Sequence, residues 1–422
     1  MNDIPAILSR PTGHRIRIRD RWKPVRILDG IQILRDLSEG RNTEVGGEAN
    51  RAVELAFREL TGCTHVLPMN SGTSALHSAY FAIGLQPGDE VIVPSYTWFA
   101  TATPLFQLGV KPVFAEIDPR TLTLDPEDVE RRITESTKAI CVVHVWGNPA
   151  KMNELVDLCN QHDLILIEDC SHAHGATFNG KAVGSFGAIG CFSLQGGKAV
   201  SGGEAGVAVT NNPLLYDRML ALGHNGRAHQ QAAGTFDLGG MSYGLKYRPH
   251  LFSLRLAAKS FSRLPELNRR RCENLNILTE AFAAGGVLEP IETYREAKRG
   301  GYLEFIFRFH PEYCGNWSRE AFVRALQAEG FPIGVDRYSC MGDAYRHLHE
   351  APIFTQSDDF VVDQMQTSIQ EPLCLPTTEE ACSQLVTIPA FVQVPKRALL
   401  DFARSVERIQ QFAERNSDFR LL

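Results

Sequence analysis

A lysine, an aspartate and a turn of small residues are the parts of this sequence best suited to chemistry. Lys198 follows two glycines, Asp169 ends the apolar run Leu164-Ile-Leu-Ile-Glu-Asp169, and the turn Asn70-Ser-Gly-Thr-Ser74 precedes a helical stretch. A desolvated lysine amine forms a Schiff base with an aldehyde. An aspartate at a strand end can pair with a protonated pyridine nitrogen, and amides at a helix start can bind a phosphate. The three together predict a site for pyridoxal 5'-phosphate (PLP).

Each of these residues also has a plainer interpretation. Most lysines are exposed, so Lys198 taken alone indicates a surface loop. An acid at a strand end often caps a loop or helix, and a Ser/Thr turn before a helix is an ordinary cap. Their convergence favours the cofactor site, because ligands of parallel sheets bind at the carboxyl ends of the strands.

Several neighbouring residues fit the same cofactor. Gly72 and Thr73 in the turn, together with the hydroxyl of Ser193, suit a phosphate dianion. His172 can hydrogen-bond the cofactor or its phenolic oxygen. Trp98 follows a strand and can stack on a flat ring, although core packing explains it equally well. These five residues are therefore candidates for the surroundings of PLP.

Two other kinds of site are poorly supported. Cys170, His172 and His174 are candidate metal ligands, but their spacing matches no closed zinc pattern, so no metal is expected. The Gly197-Lys198 pair is followed by Ala199 and lacks the earlier glycine of a nucleotide-binding P-loop.

The composition indicates a globular protein that can bury a large core. The chain has 422 residues, a net charge of −6 and no basic stripe, which argues against a nucleic-acid partner. We find neither a signal peptide nor an apolar run long enough to span a membrane, so we expect a soluble, cytoplasmic protein. The ten cysteines are spread through the chain and indicate reduced core thiols.

The order of strand-like and helical segments predicts an α/β fold. From about residue 47, continuous apolar strands alternate with helices, which indicates a mainly parallel central sheet that is covered on both faces. The runs 186–193 and 205–210 predict an antiparallel pair within that sheet. We predict an N-terminal arm (1–25), a large cofactor-binding domain (26–255) and a smaller C-terminal α+β domain (256–422).

The combination of segments resembles the DegT/DnrJ/EryC1/StrS aminotransferases, the sugar and cyclitol branch of the fold-type I PLP enzymes. The likeness spans roughly residues 30–410. The matching segments are Asn70-Ser-Gly-Thr-Ser-Ala-Leu76, Gly88-Asp-Glu-Val-Ile-Val-Pro-Ser95, Pro112-Val-Phe-Ala-Glu-Ile-Asp118, Val143-His-Val-Trp-Gly-Asn-Pro-Ala150, Glu168-Asp-Cys-Ser-His-Ala-His-Gly-Ala176 and 184–206.

The resemblance implies roles for individual residues. Lys198 would form the Schiff base and Asp169 would pair with the pyridinium nitrogen. His172 would lie against the cofactor, Trp98 would stack on its ring, and Gly72, Thr73 and Ser193 would hold its phosphate. The family is dimeric with shared sites, which implies that the residues reaching the partner's cofactor and substrate are Asn225, Tyr247 and Arg248.

The resemblance also implies an activity. It predicts a PLP-dependent aminotransferase that takes an amino group from L-glutamine or L-glutamate and gives it to a keto-sugar or an inosose-type keto-cyclitol. Arg337 and Tyr338 are further candidates for substrate binding. Lys246 departs from the family pattern, because it replaces an Asn that often contacts the partner's phosphate. The alternatives are a nucleotide-sugar aminotransferase of surface-polysaccharide biosynthesis, a PLP-dependent deoxysugar dehydratase and a catalytically silent regulator.

Overall fold

The computed structural model describes residues 18–22, 26–38, 47–227, 230–234, 241–335, 347–355 and 373–416. The strands are β1 (His65–Met69), β2 (Glu90–Pro94), β3 (Lys111–Ala115), β4 (Thr137–Val143), β5 (Ile165–Asp169), β6 (Thr177–Phe178), β7 (Lys181–Ala182), β8 (Ile189–Ser193), β9 (Gly206–Thr210), β10 (Leu288–Pro290), β11 (Ala297–Lys298), β12 (Glu304–Phe309), β13 (Gly334–Val335) and β14 (Leu385–Pro389). The α-helices are α1 (Ile27–Ser38), α2 (Glu48–Thr61), α3 (Gly72–Ala82), α4 (Thr103–Phe106), α5 (Pro126–Arg132), α6 (Met152–Gln161), α7 (Pro213–Gly223), α8 (Leu251–Phe261), α9 (Leu264–Ala283), α10 (Arg319–Ala328), α11 (Pro352–Thr355), α12 (Pro376–Ser383) and α13 (Lys396–Arg415).

A seven-stranded sheet forms the centre of the large part of the chain. Its strand order is β1-β9-β8-β5-β4-β2-β3. The strands β3, β2, β4, β5 and β8 run parallel, whereas β9 runs antiparallel to both of its neighbours. Every residue of β2 and of β9 is buried, as expected for strands covered on both faces. The mainly parallel sheet and the antiparallel β8–β9 pair were both predicted and are confirmed.

A smaller antiparallel sheet follows in the C-terminal part. Its order is β10-β12-β14-β13, and α9 and α13 pack on it around alternating phenylalanines of β12. This agrees with the predicted α+β unit. The predicted boundary after residue 255 falls within α8, and the division into domains stays a prediction.

The residue pattern after β2 predicts a helix over 97–109, and this prediction is wrong. The stretch instead holds a 3-10 turn (Phe99–Thr101) and the single-turn helix α4, which has a proline in its first turn. Pro104 lacks a backbone donor, so it can begin a helix but cannot continue one from upstream. Most of the predicted arm lies outside the described residues. None of the described helices is both long and apolar enough to cross a bilayer.

Candidate active site

A cavity of about 370 Å³ opens at the carboxyl ends of the parallel strands. Seven of the predicted site residues line it, namely Gly72, Thr73, Trp98, Asp169, His172, Ser193 and Lys198. The sequence interpretation missed other residues of its wall, among them Ser71, Thr97, Ser171, Gln195, Glu204 and Leu303. The structure thus brings seven of the eight predicted cofactor residues to one place, and Asn225 is the one that it does not.

The amino end of α3 forms one wall of this cavity. Ser71 caps the helix: its Oγ accepts from the Ser74 amide (3.0 Å), and its own amide donates to Ser74 Oγ (3.1 Å). A Cβ atom at Gly72 would lie 2.7 Å from the Ser193 Cβ atom, so only glycine lets α3 approach the end of β8 this closely. The positive end of the helix dipole and the Ser193 hydroxyl therefore face the same space, which suits an anion.

Asp169 lies at the end of β5 with its carboxylate fixed by two donors. The Thr101 hydroxyl donates to Oδ2 (2.9 Å) and the Ser171 amide donates to Oδ1 (3.0 Å). Thr101 is itself held by Tyr80, whose hydroxyl donates to the Thr101 carbonyl (2.7 Å). Asp169 is only 5% exposed, so its carboxylate is a well-oriented acceptor for a cationic N–H in the cavity.

Glu168 precedes Asp169 and points to the opposite face of β5, as the two-residue period of a strand predicts. Its carboxylate accepts the amides of Gly184, Phe186 and Gly187, each at 2.7 Å, and lies 3.2 Å from His144 Nε2. Glu168, His144 and Cys170 form a compact buried group. The hydrogen bonds of Glu168 account for its burial without a metal ion.

Lys198 lies in the connection between β8 and β9. Its amide donates to the Gln195 carbonyl (2.9 Å), and the following residues, Ala199 and Val200, are buried. The lysine itself is half-buried beside the cavity. Burial and the nearby charge of Lys198 lower the pKa of His174 to about 3, so this histidine is neutral.

His172 and Trp98 complete the cavity wall. His172 is buried, and its ring stacks on that of Trp146 with centroids 5.3 Å apart. Trp98 is half-buried and contacts the exposed ring of Phe99. Its position fits the predicted stacking role, which stays a prediction.

The residues predicted to reach a partner's site are not in the lining of this cavity. Asn225 is exposed and accepts a hydrogen bond from the Ser242 hydroxyl. Tyr247 bonds through its hydroxyl to His77 Nδ1 (2.7 Å), and burial raises its pKa. Arg248 is half-buried. Two other predicted substrate residues, Arg337 and Tyr338, lie outside the described residues.

The doubly covered sheet, the smaller antiparallel sheet and the cavity at the carboxyl ends of the parallel strands define a fold-type I transferase. Residues 29–399 match the family model described as the DegT/DnrJ/EryC1/StrS aminotransferase family. The chain belongs to this family and is an aminotransferase.

Known proteins agree with this assignment. The chain is 44% identical over 349 residues to L-glutamine:2-deoxy-scyllo-inosose aminotransferase of Streptomyces kanamyceticus, covering 80% of each protein. The crystal structure of 3-amino-5-hydroxybenzoic acid synthase matches with a TM-score of 0.78 at 25% identity, over 94% of this chain and 100% of that one. The E. coli GDP-4-keto-6-deoxy-D-mannose-3-dehydratase, solved with bound hydrated PLP, shares the fold at 22% identity, with a TM-score of 0.75 over 94% of this chain and 100% of that one.

Proposed function

We propose that this protein is a PLP-dependent aminotransferase that moves an amino group from L-glutamine to an inosose-type keto-cyclitol in aminocyclitol antibiotic biosynthesis. The observation that carries the proposal is the meeting of Lys198, Asp169 and the amino end of α3 around one cavity. The 44%-identical relative named for L-glutamine and 2-deoxy-scyllo-inosose supports the donor and the acceptor. L-glutamate is the alternative donor.

The residues present fit the cofactor. PLP, when bound, supplies an electron sink for the deprotonated substrate carbon. The Lys198 amine would hold the aldehyde carbon and, once released, carry a proton to and from the substrate carbon. Asp169 would keep the proton on the ring nitrogen. Gly72, Thr73 and Ser193 would bind the phosphate.

The charges that one subunit by itself contributes to the cavity favour a neutral acceptor. Among the lining residues that the structure describes, Lys198 is the only lysine or arginine, whereas Asp169 and Glu204 are both acids. A nucleotide diphosphate is bound by several cationic donors, and arginine is preferred for this. A cyclitol ketone needs only hydrogen-bonding groups, which Thr97, Gln195 and Glu204 supply.

Deoxysugar dehydration and a purely regulatory role are less well supported by the residues of the site. Members of the family that dehydrate deoxysugars resemble this chain but carry a histidine at the lysine position, so Lys198 argues against dehydration. A silent regulator would have lost Lys198 or Asp169, and the chain keeps both. The free thiols among the described cysteines fit a reducing, cytoplasmic compartment.

We also propose a homodimer in which each active site is completed by the other subunit. The segment 241–245 exposes Met241 (71%) and Tyr243 (59%), which are large apolar side chains next to Tyr247 and Arg248. Mixing the inactive variants Lys198→Ala and Arg248→Ala should restore part of the activity, because a mixed dimer has one intact site. No recovery from mixed, refolded subunits would argue against shared sites.

The function is tested by the visible absorption spectrum of the purified, PLP-loaded protein. Addition of L-glutamine should abolish the visible band, and addition of 2-deoxy-scyllo-inosose should restore it. Lys198→Ala should bind PLP without giving the same band, and it is the matched control. A band indifferent to both L-glutamine and L-glutamate, or restored by nucleotide keto-sugars and not by inososes, would contradict the proposal.

A further inference from the structure

Trp146 has a backbone conformation that is uncommon for a bulky residue. It lies in the 3-10 turn Val145–Gly147 directly after β4, with φ 52° and ψ 20°. A left-handed conformation is unfavourable for a non-glycine residue, so the surroundings must hold it. Gly147 provides such a hold: its carbonyl accepts from the Gly300 amide (3.1 Å), and a Cβ atom at Gly147 would lie 2.1 Å from the Gly300 oxygen.

The strained turn gives Trp146 two contacts with His172 on the cavity wall and one with Tyr96 behind it. Its backbone amide donates to His172 Nδ1 (3.3 Å), and its ring stacks on the His172 ring at an interplanar angle of 27°. Its indole N–H donates to the Tyr96 hydroxyl (2.8 Å). Trp146 is fully buried and does not line the cavity, whereas His172 does.

These contacts determine which nitrogen of His172 carries the proton. A ring nitrogen that accepts a hydrogen bond cannot carry a proton, so a neutral His172 has its proton on Nε2. Protonation of Nδ1 would set its N–H against the Trp146 amide in a buried position, which disfavours the charged ring. The geometry therefore favours an uncharged His172 that donates through Nε2.

We propose that Trp146 is a positioning residue that holds His172 in the neutral Nε2–H form on the cavity wall. The benefit of this arrangement rests on the proposed function. An uncharged His172 would offer the cofactor the same hydrogen bond across the working pH range. A freely titrating histidine would instead place a variable charge beside the ring. The strain at Trp146 is then part of the site rather than a defect.

Other titratable groups surround His172 and bear on the test. The acids Asp169 and Glu204 and the cation Lys198 line the same cavity wall. The phenol of Tyr96 lies behind Trp146. The Arg271 guanidinium donates to the Gly301 carbonyl, close to the His172 backbone. None of them is changed by a substitution at Trp146, so their influence is common to the variants compared.

Two substitutions separate the backbone of Trp146 from its ring. Trp146→Gly and Trp146→Ala both delete the indole, but only glycine adopts the left-handed backbone without strain. Alanine should let the turn relax and withdraw the amide from His172. Nitrogen-15 NMR of histidine-labelled, cofactor-free protein follows the ring directly, and the His172 signals are identified by their absence in His172→Gln.

We expect His172 of the unsubstituted protein to stay neutral with Nε2 protonated from about pH 5.5 to 8, a range that brackets the ordinary histidine pKa of about 6.5. In Trp146→Ala, His172 should titrate near that ordinary pKa. In Trp146→Gly, a smaller fraction of His172 should become charged at the same pH than in Trp146→Ala. A wild-type His172 that titrates normally, or that carries its proton on Nδ1, would overturn the inference. Identical behaviour of the alanine and glycine variants would overturn the role of the backbone amide.

A second measurement covers the case in which Trp146→Ala does not fold. Tyr96→Phe keeps Trp146 but removes the acceptor of its indole N–H, so His172 should gain partial titration there. In the PLP-loaded protein, the visible band should acquire a pH-dependent step near about 6.5 in Tyr96→Phe that is lost in Tyr96→Phe/His172→Gln. A step that survives in the double variant would contradict the proposal. Failure to bind PLP at all would refute the proposed function and leave the NMR result standing.

Discussion

Gly206 offers a sharp test of how the anion-binding wall is built. It begins β9, where it pairs with Met69 of β1 and with Ser193 of β8. The Ser71–Gly72 turn lies directly above it. A Cβ atom at Gly206 would be 2.1 Å from the Ser71 oxygen, 2.3 Å from the Ser71 carbonyl carbon and 2.7 Å from the Gly72 nitrogen. All three are backbone atoms, so no side-chain rotation can relieve the contact.

The size of the effect of Gly206→Ala follows from these distances. Real Cβ atoms do not come within 3.0 Å of such neighbours, so the turn must move by roughly 1 Å. Overpacking of this kind lowers the free energy of unfolding by about 1–3 kcal/mol. The movement also takes the start of α3 away from the phosphate position. Loss of one hydrogen bond to a charged group costs about 1.5–3 kcal/mol, which weakens PLP binding by about 10-fold to 100-fold.

The assay compares Gly206→Ala with the same substitution at a glycine of the β8–β9 connection. Gly196→Ala is the control, because its new Cβ atom would meet only the Gly203 oxygen at 3.8 Å. PLP affinity is measured by titration of the cofactor-free protein, and stability by chemical denaturation without PLP. We expect Gly196→Ala to stay within about 1 kcal/mol of the unsubstituted protein. Equal affinity and stability of the two variants would refute the packing argument.

Three further changes test other parts of the site. Glu168→Gln should lower the free energy of unfolding by about 2–4 kcal/mol in urea titrations, because its amide replaces an oxygen that accepts backbone N–H groups; an unchanged midpoint would contradict this. Thr101→Val removes a donor to Asp169 and should weaken PLP binding about tenfold, whereas unchanged affinity would show that the hydroxyl does not orient the carboxylate. Burial and the Lys198 charge lower the pKa of His174 to about 3 in the folded state. Between pH 3 and about 6.5 the unfolded chain therefore binds more protons than the folded chain, so the free energy of unfolding falls by about 1.4 kcal/mol for each pH unit of acidification. His174→Gln should remove that part of the slope in denaturation curves measured from about pH 4 to 6.5, inside that window, and an unaltered slope would contradict the assignment.

Patterns of neighbouring residues predicted the strands, a helix end and the direction of the Asp169 side chain well. Continuous apolar runs identified the covered strands, and Gly62 ends α2 in the left-handed conformation that glycine favours. The two-residue period of β5 correctly separated Asp169, which faces the cavity, from Glu168, which faces the opposite side. These features depend on residues close together in sequence, so the pattern of residue types is enough to predict them.

The supporting contacts could not be predicted in the same way. Thr101 and Asp169 are 68 residues apart, and no spacing rule brings a hydroxyl from the turn after β2 to the end of β5. Trp146 carries no sequence signal for a left-handed backbone, because that conformation is disfavoured for its residue type. The helix predicted over 97–109 is wrong for a similar reason. The chain turns at Phe99–Thr101, which the residue pattern does not show, and Pro104 then begins a new short helix.

The C-terminal unit contributes to the site mainly through backbone contacts. A Cβ atom at Gly300 would lie 2.4 Å from the Ala176 nitrogen, and one at Gly301 would lie 2.2 Å from the His172 oxygen. Arg271 donates to the Gly301 carbonyl, and Leu303 lines the cavity itself. The segment 300–303 therefore packs closely against residues 172–176, which follow Asp169. It also contacts the turn of Trp146, because the Gly300 amide donates to the Gly147 carbonyl. Because these contacts reach the chain at the cavity wall, the orientation of His172 depends on the packing of the segment 300–303 as well as on the central sheet.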